Sequence, residues 1–405
     1  PFFLEPKVTT SNTPASENHH TTLTNEAVRQ RLIRRSDMVA CKIAFIDCKM
    51  KGSDLKENYS LIGPGVTQSA DQVVNLREPH GFSLGVAAMP PGVVNNLHVH
   101  YTAEVFMIFK GRWLFRWGAN GDEGTVIGEA GDVLSIPTWI FRGFSNVGDD
   151  DGWIFSALGG DETGGLIWHP SILEQAAQHS LYLTKESVLV DTAAGAPMPP
   201  ADALLEPIDT ATAESLRHYA PDEMRKRLVK VDDRTWSSRA LLDSVLPGHR
   251  SEMAPVVGFG MTQDRDQEPA VTNPHGFSIE WLRIAPGEQV GRYMLDTKQV
   301  LIVFEGTAEI VLNGAGEEVS VKVERQDLFS APANAWRSIR SVGDAPLLIA
   351  VMTAGDQKKH ITWAEDVVAA AAKAGFGVDH NGYVAPLRLL PFETRQAAEA
   401  LVETE

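Results

Sequence analysis

The sequence predicts an all-β protein with two tandem barrels of jelly-roll type and short flanking helices. Two observations carry this prediction. The first is an internal repeat, in which residues 63–168 match residues 258–363 at a constant offset of 195 and without a gap. The second is the pattern inside each copy, where short Val, Ile, Phe and Leu runs alternate with polar residues between Gly, Asp and Asn turns. Many short strands with regular turns favour a closed barrel.

The repeat keeps one register over its whole length. The pentapeptide at 79–83 recurs letter for letter at 274–278. Further along, four residues of the first copy, Asp132, Ser135, Pro137 and Arg142, are repeated as Asp327, Ser330, Pro332 and Arg337. Chance does not hold a single register over about a hundred residues, so the chain is a tandem duplication.

The duplication divides the chain into five parts. They are an N-terminal arm with a short helix and a strand at 1–59, the first barrel at 60–180, a linker with a helical segment at 181–233, the second barrel at 234–365 and a C-terminal helical tail at 366–405.

Helices and one strand are predicted outside the repeated strands. A short helix begins after Thr24, and the apolar run at 42–48 reads as a strand. Each barrel is followed by a helix, at about 171–178 in the first copy and 364–374 in the second.

The composition restricts the classes of partner. The 405 residues carry a net charge of −17, which disfavours nucleic acid and anionic membranes as partners. No apolar run approaches the roughly 18–20 residues of a membrane span, and no basic-then-apolar leader begins the chain. With only Cys41 and Cys48 present, we expect reduced thiols and a cytoplasmic protein.

The first repeat carries a metal-ligand pattern. His98 and His100 are two residues apart, so on a strand they point to the same face, and Glu104 has the same parity. Two imidazoles and one carboxylate suit non-haem Fe(II), which is the expected cofactor, with Mn, Ni or Zn as alternatives.

These residues lie within two recognisable motifs. The first contains Gly92, His98, His100, Glu104 and Gly111, and the second contains Gly131, Asp132, Pro137 and Asn146. In this respect the chain resembles the cupin family, and with two copies it resembles a bicupin. The resemblance implies double-stranded β-helix barrels and a homo-oligomer. Where the family has a third metal histidine, this sequence has Arg142.

The second copy serves as an internal comparison. At the offset of 195, the three candidate ligands become Tyr293, Leu295 and Gln299. None of these is a usual metal ligand, so we expect a single metal site, in the first barrel.

Arg142 has two interpretations. It is a catalytic and substrate-binding candidate, because a guanidinium can hold a substrate carboxylate or enolate through paired hydrogen bonds. Alternatively, it lies across the barrel and pairs with Glu104, as Arg337 would pair with Gln299 in the second copy. An arginine cannot itself coordinate a metal, because it is always protonated.

His169 is a further candidate ligand. It has no counterpart in the second copy, where Ala364 stands at the matching position. The alternative is a surface histidine that opens the helix beginning at Pro170.

Aromatic residues complete the predicted pocket, with Phe106, Trp117 and Trp139 as candidates for substrate contact besides Arg142. Trp139 lies in a Pro-Thr-Trp sequence that resembles the Pro-x-Trp of gentisate-type ring-cleaving bicupins. That resemblance implies a dioxygenase that takes O2 and a small aromatic or enolisable organic acid. A metal-dependent lyase, decarboxylase or isomerase and a non-catalytic small-molecule-binding protein are the alternatives, because fold does not determine function.

Overall fold

The computed structural model describes residues 20–403, so most of the predicted N-terminal arm lies outside the described residues. The described strands in chain order are β1 (Leu32–Ile33), β2 (Glu57–Ile62), β3 (Val74–Leu76), β4 (Phe82–Met89), β5 (Val94–His100), β6 (Glu104–Lys110), β7 (Arg112–Trp117), β8 (Gly124–Glu129), β9 (Val133–Ile136), β10 (Arg142–Asn146), β11 (Gly152–Gly159), β12 (Leu166–Trp168), β13 (Leu181–Leu183), β14 (Leu189–Asp191), β15 (Leu228–Val229), β16 (Ser251–Val257), β17 (Phe277–Ile284), β18 (Gln289–Met294), β19 (Gln299–Glu305), β20 (Ala308–Leu312), β21 (Val319–Val323), β22 (Leu328–Ala331), β23 (Arg337–Ser341), β24 (Leu347–Ala354), β25 (Thr362–Trp363), β26 (Phe376–Val378) and β27 (Val384–Pro386). The described α-helices are α1 (Asn25–Arg29), α2 (Pro170–Gln178), α3 (Thr210–Glu214), α4 (Pro221–Arg225), α5 (Glu365–Lys373) and α6 (Phe392–Glu403).

Each barrel consists of two sheets that face each other, and their strands are antiparallel except for the parallel pair β2 and β3. The first barrel has a seven-stranded sheet in the order β15-β9-β6-β11-β4-β2-β3 and a five-stranded sheet in the order β12-β5-β10-β7-β8. The second barrel has a six-stranded sheet, β1-β22-β19-β24-β17-β16, and a five-stranded sheet, β21-β20-β23-β18-β25. The predicted fold class, all-β with two tandem barrels and short flanking helices, is confirmed.

Each barrel is completed by a strand from the segment that precedes the other barrel. β1 from the N-terminal segment pairs with β22, with Leu32 opposite Phe329. β15 from the linker pairs with β9, with Leu228 opposite Leu134. Leu32 and Leu228 are 196 residues apart, so the duplication extends beyond the region that the sequence comparison matched. This exchange joins the two barrels through backbone hydrogen bonds.

Two buried histidines add reciprocal contacts between the barrels. His80 Nε2 lies 2.7 Å from the Ser330 hydroxyl, and His275 Nε2 lies 2.6 Å from the Ser135 hydroxyl. The two histidines are 3% and 5% exposed. Because both copies of the repeated Pro-His-Gly turn make the same contact, the turn has a structural role at the interface.

The barrels also share an apolar core. Phe109 of the first barrel packs edge to face on Phe304 of the second, with ring centroids 5.2 Å apart. Trp281 packs on the same Phe304 ring at 4.7 Å. Aromatic pairs at these separations add to the stabilisation from buried area, so the two barrels bury one continuous core.

The predicted strand at 42–48 is wrong. This segment forms a series of turns, with a single bridge at Cys41. The backbone N–H of Ile46 donates to the Gln68 side chain, and the Ile46 side chain packs in a cluster with Trp168 and Ile172. The apolar run is therefore explained by packing under α2. Cys41 and Cys48 are buried free thiols.

The helices after the two barrels begin close to their predicted starts. α2 begins at Pro170 with His169 as its N-cap, and α5 begins at Glu365. The C-terminal helix α6 packs against α5. Within residues 20–403, no helix combines the length and the apolar character that crossing a membrane requires.

Candidate metal centre in the first barrel

Two histidines and a glutamate converge where β5 of one sheet faces β6 of the other. His98 and His100 share a face of β5, and Glu104 is the first residue of β6. Their ligand atoms all lie within 4.8 Å of one another, and His100 Nε2 is 3.5 Å from Glu104 Oε2. Across the described chain, residues 20–403, this is the one such group of three potential metal ligands.

The three side chains are buried and partly oriented by their neighbours. His98, His100 and Glu104 are 2%, 2% and 4% exposed. Nδ1 of His98 lies 2.7 Å from the carbonyl oxygen of Asn96, which can only accept, so Nδ1 carries the proton and Nε2 keeps a free lone pair. Oε1 of Glu104 accepts the Ser156 hydroxyl at 2.8 Å.

Burial keeps both imidazoles neutral. It lowers the pKa of His98 to about 3, and the charge of Arg142 acts in the same direction. The pKa of His100 also lies well below its usual value, for the same two reasons. Burial raises the pKa of Glu104, although the guanidinium beside it opposes that change. A neutral imidazole is the form that binds a metal.

Arg142 pairs with Glu104 from the first position of β10. Its Nε lies 3.2 Å from Glu104 Oε2, and its Nη1 donates to the Ile140 carbonyl at 3.2 Å. Arg142 has no exposed surface and is not part of the cavity wall. In the second barrel, Arg337 Nη1 lies 3.3 Å from Gln299 Oε1. Both contacts lie within a single barrel. They correspond to the sequence interpretation in which Arg142 pairs with Glu104, and Arg337 with Gln299.

The three candidate ligands line a small cavity in the first barrel. Its volume is about 70 Å³, and one water molecule needs about 10–15 Å³ of such space. The cavity therefore suits a ligand the size of a few water molecules. Its wall combines polar groups with apolar side chains, among them Lys56, Asn95, Ser156, Phe106, Phe144, Leu158, Leu166 and Trp168.

The donor set fits a divalent metal ion. His98 presents a free lone pair, and Nδ1 of His100 is buried without a hydrogen-bond partner among the described residues. Glu104 contributes a carboxylate, which is the hard ligand of such sites. His98, His100 and Glu104 are thus the three residues that could hold such an ion.

Three other candidates lie away from this cluster. His169 caps α2, with Nδ1 2.8 Å from the Ser171 hydroxyl, and its ring packs on Phe141. Trp117 is buried and donates its indole N–H to the Tyr219 carbonyl. Trp139 is 39% exposed and packs edge to face on Tyr101. Neither tryptophan lines the cavity, whereas Phe106, the remaining candidate, does.

The corresponding positions in the second barrel carry different side chains. Glu280 stands at the position of Gly85, which lines the cavity of the first barrel. Both oxygens of the Glu280 carboxyl accept the backbone N–H of Met261, at 2.9 and 3.0 Å. The Tyr293 hydroxyl donates to Gln299 Oε1 at 2.7 Å. The polar side chains Glu280, Tyr293 and Gln299 thus have hydrogen-bond partners within the protein.

Sequence reasoning did not predict Lys56, Asn95 and Ser156, which are among the polar residues that line the cavity. The repeat comparison could have identified Asn95. Like the three candidate ligands, it is polar in the first copy and is replaced in the second, by Val290. Lys56 lies before the matched region and carries no comparable signal, so only the folded chain places it in the cavity.

No protein-family model matches the sequence, and no curated protein sequence matches it. Solved structures are similar in fold. A Lactobacillus farciminis oxalate decarboxylase in a formate complex aligns with a TM-score of 0.53 at 13% identity, covering 95% of this chain and 98% of that one. A Bacillus subtilis oxalate decarboxylase with Mn(II) centres aligns with a TM-score of 0.51 at 11% identity, covering 87% and 83%. A Momordica charantia 7S globulin aligns with a TM-score of 0.50 at 11% identity, covering 82% and 86%. At these identities the comparisons establish the bicupin fold.

Proposed function

We propose that this protein is a metal-dependent lyase of the decarboxylase type that acts on a small organic acid in the first barrel. The observation that carries the proposal is the convergence of His98, His100 and Glu104 at a small cavity, whereas the matching residues of the second barrel are Tyr293, Leu295 and Gln299. The solved oxalate decarboxylases of the same fold support this class of reaction over the ring-cleaving dioxygenase that the Pro-Thr-Trp resemblance implies.

The proposed metal is Mn(II), with Fe(II) next and Ni or Zn as alternatives. Mn(II) takes first place because one of the solved structures has Mn(II) centres. Fe(II) comes next because mixed imidazole and carboxylate ligands also suit it. His98, His100 and Glu104 would hold it. When bound, such an ion supplies a Lewis acid that withdraws electrons from a carboxylate or carbonyl oxygen of the substrate.

The size of the cavity favours a small acid over an aromatic one. About 70 Å³ of space accommodates a few non-hydrogen atoms beside the ligands. The apolar side chains of Phe106, Phe144 and Leu158 exclude water from the cavity wall. In a decarboxylation the bond between the substrate carbon and its carboxylate breaks, the electron pair stays on that carbon, a proton replaces the lost group and CO2 leaves.

The residues around the ligands have defined tasks in this proposal. The Asn96 carbonyl orients the His98 ring, and the Ser156 hydroxyl orients the Glu104 carboxylate. Arg142 lies behind Glu104, so its task is to balance the buried charge of that carboxylate. A direct substrate contact from Arg142, as the first sequence interpretation has it, would require the guanidinium to reach past Glu104.

The test begins with metal analysis of protein purified without a histidine tag, followed by loading with Mn(II) or Fe(II) under anaerobic conditions. Loaded protein is then incubated with a panel of small organic acids while CO2 release and O2 consumption are measured. We expect CO2 release without stoichiometric O2 consumption. Stoichiometric O2 uptake with an aromatic or enolisable acid would favour the dioxygenase, and no bound metal would favour a non-catalytic small-molecule-binding protein. Homo-oligomerisation remains a prediction that sedimentation can check in the same preparation.

A further inference from the structure

A buried ion pair lies beside the candidate metal ligands. The Lys56 ammonium is 2.7 and 2.8 Å from the two carboxylate oxygens of Asp47, and the two side chains are 5% and 0% exposed. Its third contact is with Oδ1 of Asn95, at 2.5 Å. An ammonium has three N–H donors, so Lys56 has none left for a substrate.

This contact orients the amide of Asn95. Because an ammonium can only donate, the Asn95 atom that faces Lys56 must be the carbonyl oxygen. The amide nitrogen Nδ2 then faces the other way, 3.5 Å from His98 Nδ1. That ring nitrogen already donates to the Asn96 carbonyl and cannot accept a second proton. Among the described residues, Nδ2 of Asn95 is therefore a donor without an acceptor, in a side chain that is 6% exposed and lines the cavity.

The second barrel has lost this arrangement together with the metal ligands. Strand register aligns Lys56 with Ser251, and the repeat aligns Asn95 with Val290. The buried aspartate is kept as Asp243, but its partner there is a histidine at 2.9 Å. A lysine and an amide that served only to stabilise the barrel would not need to be restricted to the copy with the metal ligands.

We propose that Asn95 donates from Nδ2 to an oxygen of the substrate at the metal cluster, and that Lys56 is the positioning residue that holds the amide in this orientation. The inference deepens the proposed function and rests on it. A buried donor without an acceptor is costly, and a carboxylate or carbonyl oxygen removes that cost. The site therefore selects acids that present such an oxygen beside the metal and rejects analogues that present an N–H group there.

The first experiment uses Asn95→Val, the residue of the second barrel. Purified wild type and variant are loaded with Mn(II), and formate is titrated as the probe while the Mn(II) electron paramagnetic resonance spectrum is followed. We expect Mn(II) affinity within about threefold of wild type, because Asn95 is not a ligand. The affinity for formate should fall roughly tenfold or more, since a hydrogen bond to a charged group is lost. Unchanged formate affinity in this variant would overturn the role of Asn95.

The role of Lys56 needs a matched pair of variants, because removing the lysine alone leaves Asp47 as an unpaired buried charge. Both double variants therefore carry Asp47→Asn. Lys56→Gln keeps an N–H donor toward Asn95, whereas Lys56→Met has none. We expect the glutamine variant to bind formate more tightly than the methionine variant, by about fivefold, at equal Mn(II) affinity and equal melting temperature. Equal formate affinity in the two would overturn the positioning role.

Failure of the proposed function has a different signature. Wild type that binds no Mn(II) after anaerobic loading would overturn both the metal-dependent lyase and the substrate contact built on it. Wild type that binds Mn(II) and formate, beside an Asn95→Val protein that binds both equally well, would overturn the substrate contact alone.

Discussion

Arg142 and Glu104 form a buried ion pair, with Nε 3.2 Å from Oε2 and side chains that are 0% and 5% exposed. The pair links β10 of one sheet to β6 of the other sheet of the first barrel. A metal ion bound by the two histidines and Glu104 would share this carboxylate with the fixed cation of Arg142. We therefore expect metal binding and the stability of the barrel to be coupled through Glu104.

Arg142→Met should destabilise the protein by about 3–5 kcal/mol, because it leaves Glu104 as a buried charge without a partner. Arg337→Met is the matched control in the second barrel, where the partner Gln299 is neutral. It should cost less, and urea unfolding of both variants measures the difference. If Arg337→Met lowers the free energy of unfolding as much as Arg142→Met does, charge pairing between Arg142 and Glu104 contributes little. Adding Glu104→Gln to Arg142→Met should recover part of the lost stability.

His98→Ala should lower Mn(II) affinity by more than about 100-fold, since changes to outer partners of a metal ligand alone cost about 10–100-fold. His169→Ala is the matched control, because His169 caps α2 and lies outside the ligand cluster. Its affinity for Mn(II) should equal that of wild type. Calorimetric titration of metal-free protein measures both, and metal loss in His169→Ala would place that histidine among the ligands.

Glu280 should make the protein less stable as the pH rises from about 5 to 8. Burial raises the pKa of this carboxyl from 4.5 to about 8. Between these pH values the folded protein retains a proton on Glu280 that the unfolded chain releases. The contribution of Glu280 to stability is therefore complete below about pH 4.5 and falls by at most about 1.4 kcal/mol per pH unit up to about pH 8.

Glu280→Gln removes this titration, and its free energy of unfolding should vary less between pH 5 and 8 than that of wild type. Denaturant unfolding at four pH values across this range gives the two slopes. Identical slopes would contradict the raised pKa of Glu280. The comparison between variant and wild type cancels the groups that titrate in both proteins.

Trp139→Asn should stabilise the protein by about 1 kcal/mol, because Trp139 has a left-handed φ of 61° that is unfavourable for a bulky residue. The matching residue in the second barrel is Asn334, with a φ of 56°, and asparagine tolerates this conformation. Asn334→Trp is the reverse substitution and should destabilise by a similar amount. Thermal unfolding of both variants tests the pair, and a melting temperature lowered by Trp139→Asn would argue against backbone strain at this position.

The strongest sequence signals were local or periodic ones. The constant offset of 195 gave the two barrels, because a duplicated chain folds its copies in the same way. The spacing of His98 and His100 gave the shared face of β5, because side chains alternate along a strand. The apolar run at 42–48 did not predict its structure correctly, since a short apolar segment packs equally well under a helix or in a sheet.

The repeat and the strand pattern were sufficient to predict the bicupin architecture and the three candidate ligands of the first barrel. The tertiary structure decided which groups face them. It placed Lys56 and Asn95 in the cavity, put Arg142 behind Glu104 and exchanged β1 and β15 between the barrels. The two kinds of feature differ in how far apart along the chain the interacting residues lie. Strand periodicity and repeat register are properties of neighbouring residues, whereas contacts between distant segments depend on how sheets close and pack, which no local pattern records.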